Sequence, residues 1–212
     1  MADGDSSLRE LVSTIMAGDA DAVARQLAAS PDLALASFEE GATREDAQSF
    51  FLESIGRYIV GGDTALHIAA AAYQAGILRD LLRAGAHADA QNRFGDQPIH
   101  VAARGNPNSA RWSPEAQSAT IVALVEAGAD PNAVNKRGVA PVHVAVRTRS
   151  ALAVRTLLDL GAGADQKNKS GSTPLVLAKY TTGRGGSGSP EAKAQQREIL
   201  DLLEERLSTT RR

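Results

Sequence analysis

Three glycines near the C-terminal end have the type and spacing that dinucleotide-binding loops use. Gly183, Gly185 and Gly188 spell G-x-G-x-x-G, and a helical pattern follows them. Such a loop must follow a strand and open a βαβ unit, so that its backbone can approach a pyrophosphate. Here the preceding segment, LVLAKY at 175–180, is helical in pattern, and no strand follows. The sequence therefore predicts no cofactor. Phosphate or nucleotide binding beside the helix N-terminus is the alternative for this loop, with Arg184 as its cation.

The histidines are the other side chains that could do chemistry. His67, His100 and His143 recur in equivalent sequence contexts, whereas His87 stands apart. On successive packed helices, ~8–10 Å apart, the three are too distant to share one zinc ion. The chain has no cysteine, no H-E-x-x-H and no serine in a nucleophile-elbow context. These observations predict no catalytic residue, no metal site and no enzyme.

Composition and charge restrict the classes of protein further. The chain has 212 residues, a net charge of −2 and 4% aromatic residues. A near-neutral chain is not a general nucleic-acid binder, although local basic patches are compatible with it. The first residues, MADGDSS, are acidic where a secretory signal is basic, and no run of about 18 apolar residues occurs. We therefore expect a cytoplasmic protein that does not enter the membrane.

One pattern repeats along most of the chain. Glycines at 62, 95, 138 and 171, separated by 33, 43 and 33 residues, open the stretches GDTALHIAA, GDQPIHVAA, GVAPVHVAV and GSTPLVLAK. A second pattern follows three of these stretches, as LLRAGAHAD (81–89), LVEAGADPN (124–132) and LLDLGAGAD (157–165). Because both patterns recur in register, the elements that position the histidines are copies of one structural unit.

Each unit is predicted to be a pair of short helices. The opening glycine suits a tight turn, and the following Thr or Pro begins the first helix. That helix has a core-facing apolar residue and a small alanine that permits close packing, at Leu66, Ile99, Val142 and Leu175 and at Ala69, Ala102, Ala145 and Ala178. The second helix has apolar residues at i, i+3 and i+4 and ends at a glycine, namely Gly85, Gly128 or Gly161.

These stretches resemble the ankyrin repeat, whose period is about 33 residues and whose signature is T-P-L-H-x-A. The resemblance covers residues 57–206 and implies an all-α fold, an ankyrin-repeat α-solenoid of stacked helix-turn-helix units. Its projecting β-hairpin or loop fingers would be formed by residues 86–94, 129–137 and 162–170. The resemblance also implies that the signature histidines order the turns through hydrogen bonds. The alanine-rich sequence is similar to stand-alone bacterial members of the family.

The N-terminal part departs from the repeat. Ser7 and Glu10 have the spacing of a capping box, which predicts a helix from Ser7 to about Ala17. A second helix is expected at about 20–29, before Ser30-Pro31. We interpret residues 7–38 as a degenerate capping pair. An extra helix is predicted at 44–57, within a segment spanning 39–57. This helix either packs on the core or covers part of the groove.

Two repeats have the same insertion. Ser-Pro-Glu-Ala occurs at 113–116 and at 189–192, and this offset of 76 equals that between Gly95 and Gly171. Each copy predicts a helix with a serine N-cap and a proline at the first helical position. We therefore expect one domain, 1–212, in which the repeats occupy 58–92, 93–135 with an inserted loop at 104–113, 136–168, and 169–207 with a glycine-rich loop at 181–189, followed by a tail at 208–212.

The candidate binding surface comprises the finger tips and the ends of the first helices. By the resemblance, these regions contact a partner, and here they are mostly basic. The candidate residues are Arg93, Phe94, Arg104, Trp112, Lys136, Arg137, Arg147, Lys169, Lys179, Tyr180 and Arg184. Trp112 is either a binding residue or a staple onto its own helix. The alternative for the basic tips is that they are merely solvated.

The sequence thus favours a monomeric, non-catalytic protein-interaction module whose partner is another protein. The basic tips favour a partner with an acidic surface. One alternative is a polyanion or nucleic-acid binder that uses the basic fingers. The other is phosphate or nucleotide binding at residues 183–188.

Overall fold

The computed structural model describes residues 2–107, 111–180 and 189–210. The helices in this part of the chain are α1 (Ala2–Ala17), α2 (Ala20–Ala29), α3 (Ala65–Ala71), α4 (Ala75–Arg83), α5 (Pro98–Ala102), α6 (Pro114–Glu126), α7 (Pro141–Arg147), α8 (Ala151–Asp159), α9 (Pro174–Tyr180) and α10 (Pro190–Thr210). A short antiparallel ladder joins β1 (Phe51–Leu52) to β2 (Arg57–Tyr58). None of the described helices is both long and apolar enough to cross a membrane.

The helices from α3 to α10 form antiparallel pairs that stack in two layers. One layer contains α3, α5, α7 and α9, each packed on the next, and the other contains α4, α6, α8 and α10. Helices α1 and α2 pack on α3 and α4 and extend both layers at the N-terminal end. This arrangement confirms the all-α repeat solenoid, in which each unit buries its apolar face only against its neighbours.

The repeat positions form the core as the pattern predicts. The signature alanines at 69, 102, 145 and 178 are fully buried, as are Leu66, Ile99 and Val142. Leu175, the fourth member of the apolar set, is only half-buried. The reason is that α9 packs against α7 but has no further first-layer helix on its other side among the described residues. The glycines that end α4, α6 and α8 have φ angles between +93° and +99°, which confirms their predicted role.

The predicted start of α1 is wrong. The helix begins at Ala2, so Ser7 lies inside it and is not an N-cap. The spacing Ser-x-x-Glu also occurs inside helices, so it does not by itself fix where a helix begins. The second helix agrees with the prediction. The carboxylate of Asp19 accepts the backbone N–H of Ala22 at 2.9 Å, and the chain leaves α2 before Ser30-Pro31.

The predicted extra helix at 44–57 is also wrong. Two 3₁₀ turns, Gln48–Phe50 and Glu53–Ile55, alternate with β1 and β2. Gly56, with a φ of +56°, turns the chain so that Phe51 pairs with Tyr58, and the two rings are 4.7 Å apart. The run of aromatic and β-branched residues favours extended backbone over helix. We call residues 51–58 the hairpin.

The two lengthened helices, α6 and α10, have the predicted caps. The hydroxyl of Ser113 accepts the N–H of Ala116 at 3.0 Å, and that of Ser189 accepts the N–H of Ala192 at 3.3 Å. Both helices are longer than α4 and α8, as the repeated Ser-Pro-Glu-Ala indicates. The glycine-rich stretch at 181–188, with Arg184, lies outside the described residues.

Candidate functional site

Each finger is a turn built on one asparagine. The side-chain oxygens of Asn92, Asn135 and Asn168 each accept two backbone N–H groups from the following residues, at 2.9–3.1 Å. Asparagine closes such turns because its short side chain reaches the backbone two residues ahead. Sequence reasoning missed these residues. The available signal was an asparagine three positions before the repeat glycine in three successive fingers.

Backbone hydrogen bonds join the finger tips in series. The N–H groups of Arg93, Lys136 and Lys169 donate to the carbonyl oxygens of Gly61, Phe94 and Arg137, at 2.7, 3.0 and 3.1 Å. Gly95 permits this close approach, since a Cβ there would lie 2.9 Å from the backbone nitrogen of Lys136. The repeat glycine thus serves both the left-handed turn and the contact with the next finger. We call this series of bonds the tip ladder.

The three signature histidines connect each first helix to the next finger. Their Nδ1 atoms accept the N–H of residues 64, 97 and 140 at 3.1–3.2 Å. Their Nε2 atoms lie 3.0–3.2 Å from the carbonyl oxygens of residues 96, 139 and 172, to which they donate. Desolvation by burial lowers the pKa of all three, so each ring is neutral with its proton on Nε2. The predicted role in ordering the turns is confirmed in geometry.

A cavity of about 670 Å³ lies in the concave groove between the hairpin and the first two repeats. Its floor includes Ile55, Ala71 and Val101, which are nearly inaccessible to solvent. Arg57, Arg93 and Arg104 are among its lining residues. An open pocket with an apolar floor and a few charged groups has the character of a ligand or peptide site.

A second cavity of about 510 Å³ adjoins the first along the groove. The two share Arg93, Phe94, Asp96 and Arg104 on their linings, and the second adds Lys136, Arg137 and Arg147. Among the described residues that line either cavity, six are cationic and one, Asp96, is acidic. Together we call these two cavities the basic groove. It attracts anionic groups and repels cationic ones.

A buried ion pair fixes the hairpin beside this groove. Arg57 donates to the carboxylate of Asp63 at 2.7 Å, and Asp63 is fully buried. The same carboxylate accepts the N–H of Val60 and the side-chain N–H of Asn92, both at 2.9 Å. Burial alone would raise the pKa of Asp63, but Arg57, His67 and the two hydrogen bonds outweigh burial and lower it. The carboxylate therefore stays ionised and joins the hairpin to the first finger.

The structure shows that the segment at 39–57 does both things that the sequence left open. Phe50 and Ile55 are buried, so the segment packs on the repeats. Gly56 and Arg57 line the larger cavity, so the segment also covers part of the groove. The amide of Asn106 closes the wall by donating to the carbonyl of Ile55 at 2.6 Å. Arg57 was missed as a site residue because a helix was expected here.

Of the residues predicted for the site, six line the basic groove. They are Arg93, Phe94, Arg104, Lys136, Arg137 and Arg147. Lys169, Lys179 and Tyr180 line neither cavity. Lys169 lies exposed at the next finger tip, Lys179 is 3.6 Å from Glu204, and Tyr180 is 81% exposed at the end of α9.

Trp112 contacts its own helix. Its indole N–H donates to the side-chain oxygen of Gln117 at 3.1 Å, five residues along the chain. Gln117 is fully buried, and it also donates to the carbonyl of Ala102 and accepts the hydroxyl of Ser150. The indole therefore helps to orient a buried polar side chain between repeats. This geometry favours the staple over the binding residue, although Trp112 keeps part of its surface exposed to solvent.

No group of three or more histidine, aspartate or glutamate side chains with the geometry of a metal site occurs in the described part of the chain. The groove offers cations and apolar surface, which are the means of binding an anionic partner.

Comparison with known sequences agrees with this architecture. A family profile described as ankyrin repeats in many copies matches residues 124–178, and one described as an ankyrin repeat matches residues 61–93. No curated protein matches the chain in sequence. The two matched segments contain Gly62, Gly138 and Gly171 and the signature histidines His67 and His143, whereas the repeat with Gly95 and His100 lies between them. The chain contains ankyrin repeats at residues 61–93 and 124–178.

Proposed function

We propose that this protein binds an acidic segment of a partner protein in the basic groove. Ankyrin repeats are generally protein–protein interaction modules and are typically non-catalytic. The observation that carries the proposal is the set of six cationic side chains against one carboxylate along two adjoining cavities, in a chain whose net charge is −2. Such segregation of charge favours encounter with anionic partners and disfavours cationic ones.

The fingers support this proposal because they present a prepared surface. The tip ladder and the asparagine turns hold the backbone of Arg93, Lys136 and Lys169 in place before any partner arrives. Ordering a loop on binding costs free energy, and a surface that is already ordered avoids this cost. Lys136 is additionally placed by its ammonium, which donates to the carbonyl of Arg93 at 2.8 Å.

The test uses a displayed library of random peptides. The groove variant R137E/R147E is compared with R25E/K193E, in which the same number of charges is reversed on the outer helices α2 and α10. We expect wild type and the outer variant to select peptides rich in Asp and Glu. The groove variant should bind the selected peptides about tenfold or more weakly, since each tenfold corresponds to about 1.4 kcal/mol.

Selection of neutral or basic peptides, or equal binding by both variants, would refute the proposal. Random-sequence oligonucleotide is included as a competitor. Displacement of the acidic peptides by oligonucleotide, with the steep salt dependence of phosphate contacts, would show that the groove binds nucleic acid instead.

A further inference from the structure

The larger cavity differs from the rest of the basic groove because its floor is apolar. Ile55 of the hairpin packs with Ala71, Ala72 and Val101 in a small cluster that is separate from the main core. Each of these residues is at least nine-tenths buried, yet three of them face the cavity. The groove therefore contains one place where an apolar side chain of a partner would leave water.

The cations around this floor are not equivalent. Arg57 is paired with Asp63. Arg93 donates to the carbonyl of Ala42 at 2.9 Å and lies 5.0 Å from the ring of Phe94. The guanidinium of Arg104 makes no hydrogen bond or ion pair with any described residue. Arg104 is thus the cation of this cavity that is available to a ligand.

The backbone at Arg104 is held in position. The carbonyl of Arg104 accepts the hydroxyl of the buried Tyr73, which has a φ of +54°. Reduced contact with solvent, and then the charge of Arg57, lower the pKa of Arg104. Arg104 is nevertheless exposed, so an anion can reach its guanidinium and accept charge-assisted hydrogen bonds from it.

The balance of charge selects a monoanion. Three arginines, at 57, 93 and 104, are opposed by Asp63 beneath the hairpin and by Asp96 on the lining. This leaves one positive charge. A carboxylate matches that charge and accepts two parallel N–H bonds from one arginine. Counted for this cavity alone, a phosphate dianion would exceed the positive charge by one and would lie near Asp96, whereas Lys136, Arg137 and Arg147 line the adjoining cavity.

We propose that the cavity between the hairpin and the first two repeats receives an apolar side chain of the partner together with a neighbouring carboxylate, which binds Arg104. This inference rests on the proposed function, because it names the part of an acidic segment that enters the groove. The cavity volume of about 670 Å³ lies in the range of known ligand sites and accommodates more than one side chain.

The first test uses a fragment that carries both features. 3-Phenylpropionate is titrated into the ¹⁵N-labelled protein and compared with 3-phenylpropanamide, which has the same apolar body without the charge, and with phenyl phosphate, the dianion. A ligand of this size should bind the wild type with a Kd of about 1 mM. We expect chemical-shift changes at the backbone N–H groups of Ala71, Val101 and Arg104. The neutral 3-phenylpropanamide and the dianion phenyl phosphate should both bind more weakly than 3-phenylpropionate.

Two variants locate the site. Arg104→Gln should weaken binding of 3-phenylpropionate about tenfold and leave binding of the amide unchanged, whereas Arg25→Gln on α2 should change neither. Val101→Thr keeps the size of the side chain and makes the floor polar, so it should weaken both ligands about threefold. Circular dichroism checks that each variant retains the helical content of the wild type.

Equal binding of the carboxylate and the amide, or no effect of Arg104→Gln, would overturn the inference. So would stronger binding of phenyl phosphate. The peptide selection separates this failure from that of the proposed function. If acidic peptides bind in a way that requires Arg137 and Arg147, but no fragment binds, only the inference about the cavity is refuted. If the fragment binds in a way that requires Arg104, but no acidic peptides are selected, only the proposal that the whole basic groove binds an acidic segment is refuted.

Discussion

The Asp63→Asn substitution is the sharpest probe of how the hairpin is attached to the repeats. Asn has nearly the same volume as Asp, so the change replaces one carboxylate oxygen by an amide nitrogen without opening a cavity. The native carboxylate accepts hydrogen bonds from Arg57, Val60 and Asn92. In either orientation the new amide group therefore directs a donor at a donor, and Arg57 loses its counter-charge.

The expected cost follows from the burial of the pair. Removing one partner of a buried ion pair costs about 3–5 kcal/mol. The side chain of Arg57 is 18% exposed and keeps some contact with water, so we expect the lower end, about 3 kcal/mol. For a domain of this size, each kcal/mol lowers Tm by about 2–4 °C, and the variant should melt about 6–12 °C below wild type.

Asp96→Asn is the matched control, because Asp96 occupies the equivalent position in the next repeat. Its carboxylate accepts the side-chain N–H of Asn135 at 2.7 Å and has no arginine partner within ion-pair distance among the described residues. We expect a loss of about 1 kcal/mol there. Urea denaturation followed by circular dichroism measures both variants. The double variant R57Q/D63N should cost at least about 1 kcal/mol less than the sum of the single variants.

If Asp63→Asn and Asp96→Asn lose equal free energy of unfolding, this reasoning is refuted, because Arg57 then contributes nothing specific. Additive losses in the double variant would show that Arg57 and Asp63 are not coupled. A stability gain in Asp63→Asn would mean that desolvation of the carboxylate outweighs all of its partners.

Two further predictions concern the connections between repeats. The pKa of each signature histidine is lower in the folded protein than in the unfolded chain. Below the unperturbed pKa of about 6.5, the unfolded chain therefore binds more protons than the folded protein. The free energy of unfolding falls as the pH drops below that value, by up to about 1.4 kcal/mol per pH unit for each histidine. Urea denaturation between pH 7 and pH 5 should show this slope, and His143→Gln should reduce it by about a third; an unchanged slope would contradict the assignment. Gln117→Leu leaves the partners at Trp112, Ala102 and Ser150 without their hydrogen bonds, so it should cost about 2 kcal/mol and shift the emission of the only tryptophan to longer wavelength. An unshifted emission maximum would show that the indole does not depend on this contact.

The repeats could be predicted from the sequence because their information is local and recurs. Glycine, histidine and alanine stand at the same positions in successive units, so each unit confirms the reading of the others. The serine caps at Ser113 and Ser189 were predictable for the same reason. The start of α1 was not, because Ser7 and Glu10 match a cap whose spacing also occurs inside helices.

The hairpin could not be predicted because side chains outside it stabilise it. Phe50, Phe51, Leu52 and Ile55 fit the apolar side of a helix as well as they fit a strand and turn. The structure is decided by the pair of Arg57 with Asp63 and by the bond from Asn106 to Ile55, 51 residues away. The basic finger tips were predictable from the repeat register, whereas the apolar floor beneath the hairpin was not.

The tip ladder has a mechanical consequence. A partner that draws on the side chain of Lys136 or Arg137 applies a load to backbone that is bonded to Phe94 on one side and to Lys169 on the other. The load is shared along the row of tips, so bending one finger requires stretching bonds in its neighbours. The groove should therefore behave as a single stiff strip, whose width changes little between the empty and the occupied protein.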